Sequence, residues 1–239
     1  MKRMLTLIAG LALAGGSVAL GGEAVAISTA TNGGSASANA TAIGNARSTA
    51  IAGATRGGRA VSNSYARGRG RGFADSRSVA LADHGLAISN SNADALGIYG
   101  GSAVADSESI AATVGGVAIS NSDAIADGVF HGHATSRSYS TALSEYGHAT
   151  SDSRAVSRGR RGGRATSVSD SFSNTFGGRS SSRVNAISDA GYRARATSDG
   201  VGVSVSGRFR SSRANVHAES RAHRSGRSHS RATLIRVRR

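Results

Sequence analysis

Small residues alternate with variable ones along most of the chain. Ala87, Ser89, Ser91, Ala93 and Ala95 are separated by Ile88, Asn90, Asn92 and Asp94. Ala118, Ser120, Ser122, Ala124 and Ala126 are separated by Ile119, Asn121, Asp123 and Ile125. The pattern returns at Ala149, Ser151, Ser153 and Ala155, and at Ala165, Ser167, Ser169 and Ser171. A period of two over this length predicts strands, because alternate side chains share one face of a sheet. One face then carries only Ala and Ser. The other carries Ile, Val, Asn, Asp, Arg and Tyr.

The strands are punctuated. Gly follows a larger residue at Tyr99, Val114, Phe130, Tyr146, Arg161 and Phe176, at spacings of 15, 16, 16, 15 and 15 residues. A repeat of this kind predicts an all-β fold, a β-solenoid or β-roll whose coils complete each other's cores. The glycines are expected to supply positive φ at the corners. Tyr99, Val114, Phe130, Tyr146 and Phe176 are candidates for a ladder of larger side chains that guides assembly. If each unit is one coil, about ten coils at roughly 4.8 Å per rung make a rod on the order of 50 Å long. An Ala/Ser interior buries little apolar area, so association with further chains is expected.

Composition narrows the function. The 239 residues contain no Cys, Pro or Trp, and aromatics are 4%. Disulfides, zinc-thiolate sites and a Cys nucleophile are excluded, and a conventional enzyme core is not expected. Net charge is +15, and Lys2 is the only Lys. Charge is unevenly placed. Residues 73–130 hold seven acids (Asp75, Asp83, Asp94, Asp106, Glu108, Asp123, Asp127) and one base, Arg77. Residues 207–239 hold ten Arg and one acid, Glu219. An acidic middle with basic flanks suits head-to-tail self-association or polyanion binding.

Met1-Lys2-Arg3 followed by the apolar run Met4–Ala14 reads as an export signal, with cleavage after Ala24-Val25-Ala26. The expected divisions are a signal peptide at 1–26, a β-repeat domain at 27–206 and a disordered Arg-rich tail at 207–239. The expected location is extracellular or at the cell surface, with no transmembrane segment in the mature chain.

The stretch TAIGNARSTAIAG, residues 41–53, sets out Ala42, Gly44, Ser48 and Ala50 as A-x-G-x-x-x-S-x-A. In this it resembles the head repeats of trimeric autotransporter adhesins. That resemblance implies a left-handed parallel β-roll, three chains side by side and an adhesive surface role. From Ala60 to Ser173 the repeats depart from that family, with a longer A-x-S-x-S-x-A run and a longer period. No C-terminal anchor pattern follows, so the resemblance points to a released or assembled repeat protein.

Candidate chemistry is thin. No catalytic or cofactor-binding residue stands out, because acids do not pair and Ser is everywhere. His131 and His133, with His148 one unit later, have a spacing that would allow a metal but lack a further ligand. Polyanion-binding candidates are Arg67, Arg69 and Arg71 in an Arg-Gly segment, and Arg208, Arg210, Arg213, Arg221, Arg224, Arg227, Arg236, Arg238 and Arg239 in the tail. The function read from sequence is therefore an exported, non-enzymatic structural repeat protein. It self-associates into oligomers or fibres at the cell surface or in the matrix, and is adhesive if the resemblance extends to function. The alternative is a largely disordered secreted protein binding nucleic acid or acidic polysaccharide through Arg. An ice-binding solenoid is disfavoured because Thr is not held in a repeating row.

Overall fold

The computed structural model describes residues 14–70, 72–97, 102–129, 133–160, 164–191, 195–206, 211–223 and 227–238. The fold is all-β, and every strand pairing is parallel. The strands are β1 (Ala14–Ala30), β2 (Ser35–Ala54), β3 (Arg59–Gly70), β4 (Phe73–Ala82), β5 (Leu86–Gly97), β6 (Ser102–Thr113) and β7 (Val117–Gly128). They continue as β8 (His133–Ser144), β9 (His148–Gly159), β10 (Arg164–Thr175), β11 (Arg179–Ala190), β12 (Arg195–Ser206), β13 (Ser212–Ala222) and β14 (Arg227–Arg238).

The order β13-β11-β9-β7-β5-β3-β2-β4-β6-β8-β10-β12-β14 is a β-solenoid with an odd-numbered and an even-numbered face. The faces are continuous through β2. Its first half pairs with β3 and its second half with β4. Gly44, at φ 116°, lies between the two halves. In the stretch that carries the family resemblance, Ala42, Ser48 and Ala50 are buried on the inner face of β2.

Ala87 pairs with Ala118, and Ala118 with Ala149. One coil is therefore 118 − 87 = 31 residues and contains two of the fifteen-residue units. Each unit is one strand, so the rod is roughly half as long as one coil per unit would make it. The half-coil was the visible unit because both faces carry the same Ala/Ser inner pattern.

The interior consists of Ala and Ser, buried almost completely. Serine hydroxyls make it cohesive. Ser64, Ser76, Ser91, Ser107, Ser122, Ser138, Ser153 and Ser169 each donate to the preceding serine of a zigzag that starts at Ser48 and alternates between the two faces. Several of these bonds end on backbone carbonyls of the opposite face, as from Ser107 to Ser91 at 2.8 Å and from Ser138 to Ser122 at 2.7 Å. A carbonyl has a second lone pair after its ladder bond. Each such bond contributes about 1 kcal/mol net, which offsets the small apolar area.

The corners are glycine-built, but not for one reason. Gly57 and Gly147 have positive φ, as expected, and so do the non-glycines Arg56 and His84. At Gly85, Gly116 and Gly178 the demand is space. A Cβ on any of them would overlap the carbonyl oxygen of the equivalent glycine one coil earlier. Those carbonyls, of Gly58, Gly85 and Gly147, accept the N–H of Leu86, Val117 and Arg179 respectively.

The Arg-rich segment expected to be a disordered tail is strand over 212–222 and 227–238. The inner positions of β13, set by pairing with β11, are Ser212, Ala214, Val216, Ala218, Ser220 and Ala222. The small-residue alternation thus continues beneath the arginines. At the other end, strand begins at Ala14, so residues 14–26 of the expected export signal form most of β1. Residues 1–13 lie outside the described residues.

Candidate functional site

Strict parallel register turns every outward position into a column along the rod. On the odd face Asn39, Asn63, Asn90 and Asn121 stack, each amide donating to the previous carbonyl oxygen at 2.8–2.9 Å. The next residues in the column are Asp152 and Arg183, an ion pair at 3.8 Å. This ladder borders a shallow groove of about 520 Å³ lined by Tyr65, Asn92, Asp123 and Arg154 among others. The ladder was not foreseen, although Asn90 and Asn121 sit in near-identical sequence contexts. The growing coil length hides the match to Asn39 and Asn63.

The acidic middle block is largely answered within the chain. Arg137 faces Asp106, Arg154 faces Asp123, Arg158 faces Asp127 and Arg67 faces Asp94, each from a neighbouring rung at 3.5–4.0 Å. Arg47 bonds buried Asp75 at 2.9 Å. Apart from Asp75, these groups are part-exposed, and each pair contributes little.

Burial sets the acidity of this block. The carboxyls of Asp106, Asp123, Asp127 and Asp152 are held above the usual range, first by desolvation, with the facing Arg opposing it. Asp170 is raised by burial and by Asp199. A raised folded pKa means that the folded chain binds more protons than the unfolded chain, so stability falls as pH rises through that window. The thermal midpoint is expected to climb as pH is lowered from neutral toward the ordinary Asp value of 3.8. The double variant Asp123→Asn/Asp170→Asn should flatten that slope. A midpoint that drops steadily over the same interval would contradict the assignment.

Three of the five predicted ladder residues lie on one kind of corner. Val114, Tyr146 and Phe176 occupy the corners leading into β7, β9 and β11, where the Tyr146 and Phe176 rings meet edge to face at 6.0 Å. A Cβ on Gly115 or Gly177 would touch the ring of His84 or Tyr146, so these rings lie over glycines of the next coil. Tyr99 and Phe130 lie outside the described residues.

Among the polyanion candidates, Arg69, Arg213 and Arg227 are exposed outward residues of β3, β13 and β14. Arg67 is engaged with Asp94, and Arg221 with Glu219 at 2.5 Å. Arg236 is turned to structural use. It occupies an inner-face register position opposite Ser204 and donates to the Ala214 carbonyl. Arg238 ends β14, and Arg71, Arg208, Arg210, Arg224 and Arg239 lie outside the described residues.

His133 and His148 begin successive strands, β8 and β9, and so stand a strand length apart. His131 lies outside the described residues. Among the described residues no three His, Cys, Asp or Glu side chains are grouped to hold a metal.

Three Thr do stack, contrary to expectation. Thr135, Thr166 and Thr197 occupy adjacent rungs, but Val104 and His229 end the row. On the same face Ile51, Val79, Ile110, Thr141, Phe172, Val203 and Ile235 form a mostly apolar column. No described helix is long and apolar enough to cross a membrane. Comparison with protein-family models, curated proteins and solved structures found no match.

Proposed function

We propose that this chain is an exported, non-enzymatic structural protein that assembles with copies of itself at the cell surface or in the extracellular matrix. The observation that carries this reading is the pair of strand edges at the ends of the coil stack. Among the described residues β1 pairs only with β2, and β13 and β14 end the two faces. Parallel edges template the addition of another chain. The apolar column on the even face offers a second, lateral contact. Strand across nearly all the described residues weighs against the alternative of a largely disordered polyanion binder.

Export is tested by N-terminal sequencing of the secreted product, expected to start near Ile27. Removal of residues 1–26 would also strip most of β1 and bare the edge of β2. The 27–239 protein is therefore expected to form trimers or filaments in light scattering and electron microscopy. A compact monomer over a broad concentration range would overturn the assembly reading.

A further inference from the structure

One corner of the rod carries three stacked arginines, with a histidine on the preceding rung. His133, Arg164, Arg195 and Arg227 are the first residues of β8, β10, β12 and β14, and they are in register from rung to rung. All four are exposed. Like charges directly opposite one another in a sheet are unfavourable. Where Asp75 lies opposite Asp106, counter-ions answer the like charges: Arg47 and Arg77 reach Asp75, and Arg137 reaches Asp106. In the column that ends the odd strands, Asp127, Arg158, Asp189 and Arg221 alternate in sign. Among the described residues no carboxylate comes within ion-pair distance of Arg164, Arg195 or Arg227, whereas Arg137, Arg154, Arg158 and Arg183 each have one.

Beside the cations runs the column Thr135, Thr166, Thr197 and His229, two residues further along each strand and on the same outer face. We propose that these two columns bind an extended acidic polysaccharide carrying a carboxylate on each sugar. The rungs repeat at about 4.8 Å, close to the length of one sugar ring in an extended glycan. Each of the three Arg rungs presents one cation for a carboxylate and one hydroxyl or imidazole for a ring hydroxyl. Arg suits the carboxylate because its planar fork can donate two bonds at once. Single-stranded nucleic acid fits less well, because it needs aromatic platforms for its bases and neither column has a ring larger than imidazole. The nearest acid along β12, Asp199, lies one outward position beyond Thr197 and faces Arg231 of β14. This site does not depend on self-assembly.

The test is titration calorimetry of the full chain with polygalacturonate oligomers, a neutral glucan oligomer and oligothymidylate. Polygalacturonate should bind and the neutral glucan should not. Arg164→Gln/Arg195→Gln should weaken binding about tenfold or more and lower the slope of log affinity against log salt by about one to two. Arg59→Gln/Arg179→Gln removes the same charge from exposed first positions of the odd face and should leave the affinity within about twofold, since a defined site outweighs bulk charge. Circular dichroism should show unchanged strand content in both. No binding to polygalacturonate would overturn the proposal. So would equal losses in the two double variants, or tighter binding of oligothymidylate with the same dependence on Arg164 and Arg195.

Discussion

Replacing Ser120 by leucine is expected to abolish or severely destabilise the solenoid, whereas replacing it by alanine should lower the midpoint by only a few degrees. Ser120 is fully buried. Its hydroxyl donates to the Ser109 carbonyl at 2.6 Å and accepts from Ser140 at 2.9 Å. Alanine keeps the volume and forfeits the bond, a cost of about 1 kcal/mol. Leucine must fit between two faces close enough for a serine hydroxyl to reach the opposite backbone. Overpacking of this kind costs about 3 kcal/mol or more where neighbours cannot retreat.

The chain itself shows the rule. Val184 and Val216 are the large residues at inner positions of β11 and β13, and facing them in β12 are Gly200 and Gly202. A Cβ at Gly202 would lie 2.6 Å from Val216 Cγ2, and one at Gly200 would lie 3.0 Å from Val184 Cγ1. These two valines enter where the opposite side chain is absent. Denaturant unfolding of the two Ser120 variants separates volume from hydrogen bonding. Equal stabilities would refute the close-packed interior.

Gly116→Ala is expected to be as damaging, for a different reason. The added Cβ would overlap the Gly85 carbonyl oxygen. That oxygen is held by the Val117 N–H at 3.0 Å and cannot withdraw without breaking the corner ladder. Gly53→Ala serves as the control, because its Cβ would meet nothing nearer than Thr29 Cγ2 at 4.0 Å. A change within about 0.5 kcal/mol is expected there, as for surface sites without special contacts. Similar midpoints for Gly116→Ala and Gly53→Ala would mean that the stacked corner carries no packing load.

Much of this architecture was legible, because alternation is a local property. The runs around Ala87 and Ala118 announce strands and say which side chains turn inward. The recurrent Gly marks where each strand ends. Pairing was not legible from the same signal. A fifteen-residue beat is equally consistent with one strand per coil or two, and nothing in Ala118–Ala126 says whether its neighbour lies one unit away or two. Hence Val114, Tyr146 and Phe176 share one kind of corner and recur at about twice the beat read from the sequence. Composition misled at the C-terminus, where ten Arg drew attention from Ser212, Ala214, Ala218, Ser220 and Ala222.

The surface was the least readable part. Arg164 and Arg195 look ordinary in sequence, since each merely precedes an Ala-Thr-Ser strand start. They become a site only when a 31-residue coil stacks Arg164 on Arg195. The same stacking places Asn63 over Asn39 and opposes Arg154 to Asp123. By itself the amino-acid sequence determined the strands, their inward faces and the glycine corners, because these follow from steric rules acting over two or three residues. The tertiary structure alone decided the coil length, the serine zigzag, the valine–glycine complementarity and the columns of charge. Each of these requires residues 12 to 32 positions apart to share a rung or adjacent rungs, and local patterning carries no record of that distance.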